Sequence, residues 1–222
     1  MNKPEQIAPE NKKKNFKYLF FLVLLIFILL SKAIFFEFYR VSSISMMNIL
    51  LPGDFVLINK LVYGANTPNM VTIPFFNFNF DLPSFKLPGF KNIEVGDVIV
   101  ISKQMPARPD KYIKRCVAVH GQTVEVRNNK ILVDDMPVEE FQTSFNEDMT
   151  SVFTNKIIKD IPPVVVPEGF IFVLGDNRNL SYDSRSFGFV DAKDVIGKAS
   201  FIYSSIDGNG DFRWSRFFKT VE

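Results

Sequence analysis

Three serines crowd one short stretch, Val41-Ser42-Ser43-Ile44-Ser45-Met46-Met47, and each is a candidate nucleophile. Two more polar clusters follow. One is Tyr112-Ile113-Lys114-Arg115; the other is Gly175-Asp176-Asn177-Arg178, continuing to Ser181-Tyr182-Asp183-Ser184-Arg185. A serine hydroxyl attacks only when a neighbouring base takes its proton. The 222 residues include a single histidine, His120, and it stands beside Gly121, where it reads as a turn residue. The base must then come from Lys, Asp or Glu. A lysine serves only as the neutral amine, so it must be desolvated until its pKa falls well below about 10.4.

Lys114 fits that requirement. In a strand the side chains alternate, so Tyr112, Lys114 and Cys116 share one face and Arg115 points the other way, free to pair with an acid. Each cluster taken alone is weak. A mid-strand lysine usually faces water, an Asp/Arg-rich loop is usually salt-bridged, and Cys116 reads as a small core residue. Three such clusters behind an apolar segment make a sharper pattern.

Composition removes other chemistries. One cysteine allows no disulfide within the chain, and one Cys with one His cannot assemble the usual zinc sets. No metal and no cofactor is expected. A net charge of +2 does not point to nucleic acid as a partner.

The elements that must position these residues read as strands broken by Gly, Pro, Asn and Asp. Candidates are Phe55–Ile58, Val98–Ile101, Tyr112–Val119, Thr123–Val126, Lys130–Val133, Phe170–Leu174 and Ala199–Tyr203, with a hairpin turn at Arg127-Asn128-Asn129. Apart from one turn near Asp191–Val195, no helical period is sustained. The expected fold is mainly β, an antiparallel sheet or sandwich behind one N-terminal transmembrane helix.

That helix is expected over residues 16–37. Tyr18–Leu30 is unbroken apolar sequence; Ser31 and Lys32 interrupt it, and Ala33-Ile34-Phe35-Phe36 resumes. The whole length suits a span, with Lys32 snorkelling near one end. Ser31-Lys32-Ala33 makes a poor cleavage site, which argues for a permanent anchor over a removable leader. Lys12, Lys13, Lys14 and Lys17 precede it, against Arg40 beyond. The basic tail 1–15 is therefore expected in the cytoplasm and the β domain 38–222 outside. Phe35, Phe36, Phe38 and Tyr39 suit an interfacial aromatic belt. The Phe- and Pro-rich stretch 65–92 reads either as a long packed loop or as a flap onto lipid or substrate, carried by Phe75, Phe76, Phe78, Phe80 and Phe85.

Taken in order, the anchor, Ser43–Tyr63, Gly96–Arg115 and Gly169–Ile202 resemble bacterial type I signal peptidase (leader peptidase), the membrane-anchored Ser/Lys protease family. The strongest likeness lies in Gly175-Asp176-Asn177-Arg178 with Ser181-Tyr182-Asp183-Ser184-Arg185, and in Tyr112-Ile113-Lys114-Arg115. The resemblance implies an antiparallel β domain on the outer face of the bacterial plasma membrane. Its implied partners are the lipid bilayer and secretory preproteins, cut after a small-x-small sequence. It implies Ser45 as nucleophile and Lys114 as general base. Ser43 would join the Ser45 amide in the oxyanion hole, and Ser181 would orient the lysine. Asp183 and Arg185 would form a structural ion pair, with Asp176, Arg178 and Arg115 as a supporting network. Val41, Met46, Leu50, Tyr112 and Ile113 would line the small-residue pockets.

The chain departs from the family pattern where Asn48-Ile49 replace Pro-Thr, at His120, and at Asn179-Leu180. A second reading follows from Asn48-Ile49: a signal-peptidase-like paralogue with impaired catalysis, serving as a membrane-tethered binding or scaffold protein. A third, a self-cleaving regulator, lacks room for a DNA-binding module in its short basic tail.

Overall fold

The structure is a computed structural model that describes residues 16–25, 35–47, 49–64, 70–73, 78–81, 87–103, 111–127, 130–138 and 160–221. Its main body is a seven-stranded antiparallel sheet in the order β1-β2-β13-β5-β6-β11-β12. These strands are β1 (Phe36–Arg40), β2 (Asp54–Asn59), β5 (Val98–Ser102), β6 (Lys111–Val119), β11 (Phe170–Leu174), β12 (Val190–Asp191) and β13 (Val195–Ser205). A four-stranded sheet, β10-β7-β8-β9, comprises β7 (Thr123–Arg127), β8 (Lys130–Val133), β9 (Met136–Pro137) and β10 (Ile161–Val165). β3 (Met70–Ile73) and β4 (Phe78–Asp81) form a separate pair.

The burial patterns explain the strands. Val98-Ile99-Val100-Ile101 is apolar throughout because β5 is covered on both faces. β2 alternates buried and half-buried positions, as a strand with one core face should. The seven-stranded sheet curls. Although β6 lies four places from β1 in the strand order, Tyr39 Oη donates to the Lys111 carbonyl at 3.4 Å, and Lys111 pairs with Glu37. The curl brings the loop after β1, which carries the serines, onto β6, which carries Lys114.

Every expected strand is present; Arg127, expected in the hairpin turn, is instead the last residue of β7 and pairs with Lys130, while Asn128 and Asn129 lie outside the described residues. Several elements went unread. Phe36–Arg40 is a strand of the main sheet, beginning inside the stretch expected to be anchor. Ile161–Val165 pairs with β7 despite Pro162 and Pro163, which sit at a register shift in an edge strand, where missing N–H donors are tolerated. The stretch 65–92, expected to be a packed loop or a flap, contains the antiparallel strands β3 and β4. Phe75, Phe76 and Phe85 lie outside the described residues.

Of the expected membrane span, residues 16–25 are helical and 26–34 lie outside the described residues. Among the described residues no helix is long and apolar enough to cross a membrane.

Candidate active site

Ser45 sits in a one-turn 3-10 helix, Ile44–Met46, immediately after β1. Ser43 starts that turn: its Oγ accepts the Ser45 amide at 3.0 Å and donates to Ser45 Oγ at 2.9 Å. Short polar side chains favour this position because they satisfy a donor the turn leaves open. The turn is also held from across the fold. Asn177 donates its backbone N–H to the Ser45 carbonyl at 3.0 Å and its side-chain amide to the Ile44 carbonyl at 3.1 Å.

Lys114 reaches Ser45 from the middle of β6, opposite Ile99 of β5. Its Nζ lies 2.5 Å from Ser45 Oγ, and both residues are buried, at 3% and 4% exposure. Burial lowers the lysine pKa from 10.5 to about 8. Asp183 and Asp176 pull it back upward, and Arg185 pushes it down. The ammonium is thus only modestly favoured at neutral pH, which a general base requires.

The third cluster forms the wall around this pair. β11 ends at Leu174, opposite Arg115, so the chain turns out of the sheet level with Lys114. Gly175 is needed there, since a Cβ would stand 2.2 Å from Ser181 Oγ and 2.5 Å from the Ser45 carbonyl oxygen. Asp176 forms a bidentate ion pair with Arg115 at 2.8 and 3.0 Å. Arg115 also donates to the Gly96 carbonyl at 2.7 Å. Asp183 accepts from the Gly175 amide at 3.0 Å and from Arg185 Nε and a terminal guanidinium nitrogen at 2.8 Å each. It also caps α1 (Ser184–Phe187) through the Arg185 amide. Arg185 in turn donates to the Arg178 carbonyl at 2.6 Å.

The remaining assignments divide. Val41, Met46, Leu50 and Ile113 pack into one core cluster. Tyr112, expected with them, falls in the opposite cluster with Ile99, Ile101 and Cys116, because successive residues of β6 point to opposite faces. Ser181 is buried beside Gly175, but its Oγ makes no hydrogen bond among the described residues. The lysine is therefore not oriented by a direct bond from that hydroxyl. Cys116 is buried and its thiol is pushed up to about 12, chiefly by desolvation, so it is a core residue. His120 stands exposed in the turn after β6. Asn48 lies outside the described residues. The grip of Asn177 on the Ser45 turn and the close approach at Gly175 were not read from sequence. Both residues stood inside a cluster already singled out, but nothing in it said which atoms they would touch. Ile44, 39% exposed beside the nucleophile, likewise has nothing in the sequence that marks its place.

The chain is similar in sequence to known proteins. The family described as signal peptidase, peptidase S26, matches residues 14–204. Thylakoidal processing peptidase 1 of Arabidopsis thaliana chloroplasts is 30% identical over 163 residues, covering 73% of this chain and 40% of that protein. Signal peptidase IB of Staphylococcus aureus is 34% identical over 126 residues, covering 51% and 63%. A crystal structure of a signal peptidase I from Enterococcus faecalis aligns at 29% identity over 49% of this chain and 97% of that one, with a TM-score of 0.36. The chain spans less than two thirds of the length of these curated relatives.

Proposed function

The chain belongs to the signal peptidase family, peptidase S26, and from that premise we propose that it is a membrane-anchored serine endopeptidase removing N-terminal signal peptides from exported preproteins. One observation carries the reading: a buried lysine with its pKa lowered to about 8 lies 2.5 Å from a buried serine hydroxyl.

In this reading the neutral Lys114 amine takes the Ser45 proton as Oγ attacks the scissile carbonyl. The negative charge that develops on the carbonyl oxygen falls to the Ser45 amide and the Ser43 hydroxyl. These two are bonded to each other here, so Ser43 must rotate to meet the oxyanion. Donors of this kind are worth about 10²–10³ in rate. As the tetrahedral intermediate collapses, the Lys114 ammonium gives its proton to the leaving amine. Lys114 then takes a proton from water, which attacks the Ser45 ester and releases the mature N-terminus's former leader. The Arg115–Asp176 and Arg185–Asp183 pairs hold the walls and touch no reacting atom.

The membrane assignment follows the sequence reading except at the end of the anchor: tail 1–15, an anchor that begins at 16 and ends before strand Phe36–Arg40, and an extracytoplasmic domain that starts with that strand. It is supported by the apolar side chains of the helix at 16–25, where Phe16, Tyr18 and Leu19 through Leu25 are all exposed to a degree that calls for cover. Substrates are preproteins with a small residue before the cut, and Met46, Leu50 and Ile113 limit the size accepted. The scaffold reading has less behind it, since a desolvated lysine against a serine hydroxyl brings a scaffold no benefit. The test is cleavage of a precursor with an Ala-x-Ala site by the full-length chain in lipid vesicles. Wild type cuts at that site and Ser45→Ala does not; an intact precursor with wild type would refute the proposal.

A further inference from the structure

The loop Val41–Gly53 carries the nucleophile and two of the residues behind it, and its far end is held by the C-terminal segment. Asp54, fully buried, accepts from the Leu51 amide at 2.7 Å and from Ser205 Oγ at 2.6 Å. Arg216 grips the same carboxylate through Nε at 2.9 Å and a terminal nitrogen at 2.6 Å. That terminal nitrogen also donates to the Ile49 carbonyl at 2.8 Å. Burial alone would raise the Asp54 pKa, but the bonds from Arg216 and Ser205 outweigh it and the carboxyl is held below its usual value. The guanidinium is therefore fixed at one end by an ionised partner, with a second donor committed to the loop.

Motion at Ile49 reaches the site through few bonds. The Ile49 and Leu50 amides both donate to the Met46 carbonyl, at 3.0 and 2.7 Å, and Met46 closes the 3-10 turn that contains Ser45. Neighbouring contacts tie the same two segments together. Arg213 donates to the Pro52 and Ile206 carbonyls at 2.6 and 3.0 Å. Gly53, at φ +91°, leaves no room for a side chain, since a Cβ would lie 1.9 Å from the Ile206 oxygen. Past Arg216 the chain doubles back on β13, with the Val221 amide bonded to the Ser200 carbonyl at 3.0 Å. That brings Val221 into the cluster of Val41, Met46, Leu50 and Ile113.

We propose that Arg216 is a positioning residue for the peptidase site: braced on Asp54, it fixes the Ile49 carbonyl and so sets where the Ser45 turn and the Met46–Leu50 wall stand. The inference rests on the peptidase reading of that site. It places a determinant of rate and cut-site selectivity in the C-terminal segment, 171 residues from the nucleophile by numbering (216 minus 45). Loss of the brace lets the turn shift against Lys114 and lets the wall give way to larger side chains.

The test compares wild type, Arg216→Gln and Arg216→Lys as full-length chains in vesicles. Two precursors are used, one with Ala and one with Leu before the cut. Arg216→Gln is expected to lower kcat on the Ala precursor about tenfold or more, as a small misplacement of reacting groups does. It is also expected to shrink the Ala-to-Leu rate ratio. Arg216→Lys, which keeps one charged donor, should recover part of both. A merely structural role would lower Tm or the folded fraction and leave the ratio per folded molecule at the wild-type value. An unchanged ratio and kcat in folded Arg216→Gln would overturn the proposal while leaving the peptidase reading intact. Failure of both variants to fold would overturn it too, since Arg216 would then serve folding rather than position. Absence of cleavage by wild type would instead strike the peptidase reading itself.

Discussion

Lys114 Nζ and Ser45 Oγ meet at 2.5 Å across 69 residues of chain, and both are almost completely buried. The contact gives the amine one partner for a proton, and burial supplies the reason to be neutral. Lys114→Met and Lys114→Arg are expected to abolish precursor cleavage about as fully as Ser45→Ala, because members of a dyad act as a unit. Arginine keeps the charge and cannot deprotonate. In wild type, kcat/KM should rise as pH passes through about 8, where the neutral amine takes over. A profile that falls there would exclude Lys114 as the base.

The same lysine weakens the fold. Its pKa of about 8 lies below the ordinary 10.5, so between those values the unfolded chain holds more protons than the native one. Stability should therefore increase with pH across that window. Below it the penalty is complete, about 3 kcal/mol at 1.36 kcal/mol per unit. Lys114→Met should accordingly be inactive yet more stable at neutral pH, with the gain shrinking as pH climbs toward the ordinary lysine value. Urea denaturation of the two proteins at several pH values reads this directly, and a Met variant that is less stable at neutral pH would contradict it.

Gly175→Ala should damage the site without touching a reacting group. The added methyl meets Ser181 Oγ at 2.2 Å and the Ser45 carbonyl at 2.5 Å, too close for either to stay. We expect kcat to fall while circular dichroism stays native. Restoring space with Ser181→Gly in the same chain should return part of the rate, whereas Ser181→Gly added to wild type should not increase it.

The Arg115–Asp176 pair is a support whose halves depend on each other. With side chains 5% and 0% exposed, removing one partner strands a buried charge. Asp176→Ala should cost roughly 3–5 kcal/mol, and replacing both with apolar residues of similar volume should cost much less. A double-mutant cycle by chemical denaturation measures the coupling; additive losses would mean the pair is not a unit.

Topology offers a separate check. With the lysines clustered before Tyr18, protease added outside spheroplasts should digest the β domain and spare the N-terminal tail. The reverse pattern would invert the orientation.

Much of this protein was legible in its sequence for identifiable reasons. Val98–Ile101 and Tyr112–Val119 announced themselves as strands because apolar runs bounded by turn residues are local signals. Ser42, Ser43, Ser45, Lys114 and the Asp176–Arg185 segment stood out because their residue types carry chemistry wherever they fold, and the family resemblance singled out Ser45 among the serines. The single His left Lys, Asp or Glu as the base, and the family resemblance pointed to Lys114 among them. Pairing and direction are not local. Strand Phe36–Arg40 hides in apolar sequence, since it is the partner β2 that makes it a strand. Tyr112 was grouped with Ile113, though alternation in β6 sends them into different clusters. Ser181 kept the expected neighbourhood but not the expected bond. Arg216 carries no signal in the chain at all: its place comes from the pairing of β13 beside β2, which sets Ser205 against Asp54 and so lays the C-terminal segment against the loop of Ser45. Side-chain chemistry and strand propensity are written residue by residue, whereas the distances that turn them into a site depend on how the sheet closes.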